Sequence, residues 1–140
     1  MTKALTDEER AAFCARITVA FRADKYVEIR GAWGIDCVWA MNGDNHDLED
    51  LPISEDLSLR LREWQEDIDR CEDIDQDKAN LGLEAHIALW TPVSEAGLRL
   101  ARAVKAELPD WTVVYHHNAL TFQDRGPPCP PVRFRFEIGN

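Results

Sequence analysis

In SEDLSLRLREWQEDID, residues 54–69, the apolar residues Leu57, Leu61, Trp64 and Ile68 recur at intervals of 4, 3 and 4. That is the period of a single apolar stripe on an α-helix, and Ser54 ahead of it offers a side-chain oxygen to the free amides of the first turn. Arg62, Glu66, Asp69 and Asp73 fall along another face, which turns their charges outward from a rigid element. A helix of this kind must lay its stripe on another layer, which the rest of the chain has to supply.

Upstream, Thr6 followed by Glu9 forms a capping-box pattern, and Phe13, Ile17, Ala20 and Phe21 recur on one face of a helix predicted over residues 7–22. YVEIRGAWGIDCVWAMNG, residues 26–43, is rich in β-branched and aromatic residues and is broken by Gly31 and Gly34, which predicts two strands in a hairpin. GDNHDLEDLP, residues 43–52, reads as a loop. Downstream, LGLEAHIALW, residues 81–90, fits either a short helix or a buried run. Thr91 and Pro92 then have the form of a helix start, with Gly97, Leu100, Ala101, Val104 and Leu108 on its buried face and Pro109 beyond its end. WTVVYHH, residues 111–117, has the composition of a central strand. VRFRFEI, residues 132–138, alternates Val132, Phe134, Phe136 and Ile138 against Arg133, Arg135 and Glu137, so one of its faces is core and the other is wet. RGPPCPP between them is too proline-rich for a sheet interior. The expected fold is one globular domain over residues 1–140, α+β (mixed α/β), in the order α-β-β-α-α-β-β, with helices packed on a sheet of about four strands.

The charge is unevenly placed. Of the net −10, the segment from Asn42 to Glu84 holds 15 acidic against 4 basic residues, and the remainder of the chain is nearly neutral. Such a field disfavours nucleic acid and anionic membrane and favours a basic protein partner. No apolar run has the length of a membrane span or the form of a signal peptide, and Cys14, Cys37, Cys71 and Cys129 are spread without C-x-x-C spacing. Both features point to a cytoplasmic protein with reduced thiols.

Candidate chemistry is sparse. DIDQDKANLGLE, residues 73–84, has Asp at positions 1, 3 and 5 and Glu at 12, the oxygen spacing of a calcium loop. The sixth position, where the sharp turn requires glycine, is Lys78, and the expectation is an acidic turn with no metal. His46, His86, His116 and His117 lack metal-ligand spacing, and adjacent His116 and His117 on a strand point to opposite faces. Neither a nucleophile elbow nor a phosphate loop is present, so no catalytic residue, cofactor or metal is expected. The five tryptophans read mainly as core, with Trp33 and Trp39 close to the acidic loop.

Two stretches together resemble a known group. LEDLPISEDLSLRLREWQEDID and EAGLRLARAVKAELPDWTVVYHH carry the runs LP-x-S-x-x-L-x-x-x-L-x-x-W, G-L-x-L-A-x-x-[LV]-K-x-E-L and W-x-V-x-Y across residues 26–115. They are similar to small acidic bacterial immunity proteins of polymorphic toxin systems. The resemblance implies a non-enzymatic protein that binds and neutralises a toxin effector domain. The charge pattern independently places partner binding on Asp44, Asp47, Glu49, Asp50, Glu66, Asp69, Asp73, Asp75 and Asp77. The competing expectations are an enzyme or small-molecule binder whose site forms only in three dimensions, recognisable by a cleft with perturbed carboxylates, and an adaptor for some other basic protein.

Overall fold

The computed structural model describes residues 4–77, 82–116 and 135–139. Its elements are α1 (Asp7–Asp24), β1 (Tyr26–Ile29), β2 (Val38–Trp39), β3 (Asn45–His46), a 3-10 turn (Leu48–Asp50), α2 (Glu55–Asp77), α3 (Leu83–Glu107), β4 (Thr112–His116) and β5 (Arg135–Glu137). The class is α+β, with five strands in the order β3-β2-β1-β4-β5. β1 and β4 run parallel at the centre, Val27 opposite Val113 and Ile29 opposite Tyr115, and every other pairing is antiparallel. A parallel pair requires a long crossover, which α2 and α3 supply.

Val27, Ile29, Val113 and Tyr115 are fully buried, in one core with Leu57, Leu61, Trp64 and Ile68 of α2 and Ala101 and Val104 of α3. The stripe read from residues 54–69 is therefore the stripe that packs. Ser54 caps α2 as expected, its Oγ accepting from the Leu57 amide at 3.2 Å. Gly31 and Gly97 let this layer close. A Cβ on Gly31 would run into the Ile68 side chain, and one on Gly97 would meet both the Trp64 ring and the Tyr115 hydroxyl.

Four expectations are corrected. The loop read over residues 43–52 contains a strand and a 3-10 turn. Gly43, at φ +91°, donates to Ala40 O, and Asn42 Oδ1 accepts the Asp44 amide, so the chain folds back and β3 pairs with β2. This adds the fifth strand. Thr91 and Pro92 do not start a helix but lie inside α3. His86, Trp90, Ser94, Ala101, Val104 and Leu108 are all buried at helical spacing, so one stripe runs through the proline and outweighs its missing N–H. Thr91 Oγ1 donates to Ile87 O at 2.6 Å beside the break. The acidic stretch from Asp73 is helical through Asp77 rather than a turn, and residues 78–81 lie outside the described residues. Lastly, Trp33 is exposed (61%), whereas Trp64, Trp90 and Trp111 are core.

β5 alternates as read, with Phe136 and Ile138 inward and Arg135 and Glu137 outward. Val132, Arg133, Phe134, RGPPCPP with Cys129, His117, Lys78 and Asn80 lie outside the described residues. Cys37 and Cys71 are buried free thiols and Cys14 is an exposed one.

Candidate functional site

The acidic segment is built on two supports. The first is α2, clamped to the core by its stripe. The second is the chain from Asp36 to Asp50, which α2 holds through polar side chains on its flank. Gln65 Oε1 accepts the Cys37 amide at 2.7 Å while its Nε2 donates to Asp36 Oδ1 at 3.2 Å. Asp36 Oδ2 in turn accepts the Leu48 amide at 2.8 Å, and Arg62 pairs with Glu49 at 2.8 Å. Asp69 Oδ1 accepts the Gly34 amide at 3.1 Å. Each bond satisfies a turn amide or a carboxylate that would otherwise depend on water, so the loop keeps one shape.

Eight of the nine acids expected at the interface separate into three groups. Asp44, Asp47, Glu66 and Asp73 are exposed and form no ion pair among the described residues. Glu49, Asp50 and Asp69 are on the surface but engaged: Glu49 with Arg62, Asp69 with Gly34, and Asp50 with both Thr18 Oγ1 (2.8 Å) and His46 Nδ1 (3.2 Å). Asp75 is the correction. It is buried, 3.3 Å from buried His86, and ties the end of α2 to the start of α3. Its position one turn beyond Cys71 on the core side of α2 puts it between the helices. Asp77 ends α2.

The carboxylates around Asp47 reinforce one another. Partial burial, then the charges of Asp50, Asp36 and Glu49, push its carboxyl above the usual range, with His46 acting weakly the other way. This is a surface crowded with like charge before any partner arrives.

Reading the sequence missed Asp36 and Gln65, whose roles are set by neighbours far along the chain. It also missed what α1 does. The His46 ring stacks on Phe21 with centroids 4.3 Å apart, and Arg22 donates to the carbonyls of Asp50 (2.9 Å) and Glu49 (3.2 Å). α1 thus docks against the acidic turn. Between α1 and the β2–β3 turn lies an open groove of about 510 Å³, floored by Phe21 and walled by Ile17 and Met41. On the opposite sheet face, buried Glu28 pairs with Arg135 and Arg30, and the Arg30 guanidinium lies 3.9 Å over the Trp39 ring. No group of three or more His, Cys, Asp or Glu with metal-binding geometry occurs among the described residues, and none of their helices is long and apolar enough to cross a membrane.

A family model described as Serratia CdiI immunity protein-like matches residues 25–118. Comparison with curated proteins and with solved structures returned no match.

Proposed function

Because the chain belongs to the Serratia CdiI immunity protein-like family, we propose that it neutralises a toxin by binding it, and that the toxin presents a basic surface to the acids of the 44–50 turn and the outer face of α2. The observation that carries this reading is mechanical. Arg62–Glu49 and Gln65–Asp36 lock the turn to α2, so that Asp44, Asp47, Glu66 and Asp73 belong to one rigid support with charge to spare. Glu49, Asp50 and Asp69 shape the surface, and Asp75 serves the interior. Pre-ordered carboxylates lose little entropy on meeting lysine or arginine, and their shared field speeds encounter. Blocking the partner's active surface requires no catalytic residue, cofactor or metal in this chain, and the encounter belongs in the cytoplasm.

The test is charge reversal of Asp47, Glu66 and Asp73 to lysine, leaving Asp69 in place because it holds the Gly34 amide. The probe, to be sought in the neighbouring reading frame, is the C-terminal domain of a large secreted protein. Association should slow about tenfold or more and lose most of its salt dependence, with the thermal midpoint not lowered and protection of toxin-expressing cells lost. Unaltered rate and salt dependence in a folded variant would remove the acidic surface from the interface.

A further inference from the structure

α1 is an 18-residue helix that buries one side chain, Phe21, while Phe13 and Ile17 on the same side remain 50% and 39% exposed. Met41, across the groove, is 60% exposed. A helix attached this lightly gains little from the core, and apolar groups flanking a groove are what a second surface would cover. The rim of the groove is acidic. Asp24 and Asp44 line it, both exposed and neither in an ion pair among the described residues. A smaller hollow shares Ile17, Asp44 and His46 with it and reaches Asp47 and Asp50, so the groove opens directly onto the acidic turn.

We infer that this groove receives a segment of the toxin in which an apolar side chain is flanked by lysine or arginine, the apolar group entering between Ile17 and Met41 and the cations meeting Asp24 and Asp44. The inference rests on the toxin-binding reading above and adds to it a second wall, α1, and an apolar anchor. Charge selects this occupant over a second copy of the chain, since a copy would bring a protein of net charge −10 against an acidic rim. It also divides the labour of recognition, because α1 lies outside the residues that the family model matches while the acidic turn and α2 lie within them. The acidic face attracts any basic partner, and a shaped apolar pocket can choose among them.

The experiment uses the full chain and the same toxin domain as probe, with Ile17→Glu and Met41→Glu made singly and together. Both side chains are exposed, so circular dichroism and the thermal midpoint should match the parent, and the single variants stand in if the pair does not fold. The expected result is about tenfold weaker binding, expressed mainly in faster dissociation, with the salt dependence retained. Binding unchanged in folded variants overturns the groove, and it leaves the acidic surface standing if the Asp47, Glu66 and Asp73 reversals still slow association. Insensitivity to both sets of changes removes both readings. A parent that sediments as a dimer and becomes monomeric on Ile17→Glu assigns the groove to a second copy and also overturns the inference.

Discussion

α1 and α2 begin alike, each capped by a hydroxyl side chain and each carrying apolar residues at helical spacing, yet they meet the rest of the molecule differently. α2 buries Leu57, Leu61, Trp64 and Ile68 and lends its flank to the 34–49 chain. α1 buries Phe21 and otherwise holds on through Thr18, Arg22 and the His46 stack. Periodicity says that a helix has a face, but burial depends on which layer is within reach. α2 packs its stripe against α3 and into the core that also holds Val27, Ile29, Val113 and Tyr115 of the β1–β4 pair. α1 lies against the 3-10 turn beside the two-residue β3, where Phe21 meets the His46 ring, with Trp111, just ahead of β4, at its edge.

The sharpest way to break this contrast is to truncate one side chain on each helix. Trp64→Ala should cost about 3–5 kcal/mol, from lost burial, a cavity, and a Val93 carbonyl deprived of the indole donor. Ile17→Ala should stay within about 0.5 kcal/mol. Denaturant melts of the two variants check this, and a large loss at Ile17 would mean that α1 is part of the core. Next in size, Gly97→Ala should destabilise by about 1–3 kcal/mol, because the added methyl displaces Trp64 and Tyr115 together. A neutral or stabilising result would show that the α2–α3 layer has slack.

Thr6→Ala removes the capping box, in which the hydroxyl accepts the Glu9 amide and Glu9 returns a bond to the Thr6 amide, both at 3.1 Å. A loss of about 1 kcal/mol is expected, felt by α1. Hydrogen exchange should quicken in residues 7–12 and stay unchanged in α2. Equal quickening in both helices would show that they unfold as one unit.

The smallest effect lies in the turn between them. Asp47 holds its proton more firmly in the folded protein than in the unfolded chain, so its contribution favours the fold in acid and is lost as pH rises through the raised carboxyl value. Asp47→Asn should therefore raise stability slightly near neutral pH, by no more than about 0.5 kcal/mol once solvent screening of this exposed carboxyl is allowed for, and the gain should vanish in acid. A midpoint that falls near neutral pH would mean that Asp47 makes a favourable contact that outweighs the crowding.

Local patterns carried much of this protein into view. The α2 stripe, the Thr6 box, the central strand at residues 112–116 and the concentration of acid in the middle of the chain depend on spacing and composition, which chain neighbours determine by themselves. β3 was hidden because Asn45 and His46 have no strand pattern and become a strand only when Gly43 turns them onto β2. The helix through Pro92 was hidden because a proline after Thr91 resembles a start, and only a stripe continuing on both sides shows otherwise. The acids divided in the same way. Their number and neighbourhood were legible, but the inward turn of Asp75 toward His86 and the tethering of Asp69 by Gly34 arise where separate elements meet. So does the groove beside α1, since its two walls stand more than twenty residues apart in the chain and acquire a shared surface only through the fold.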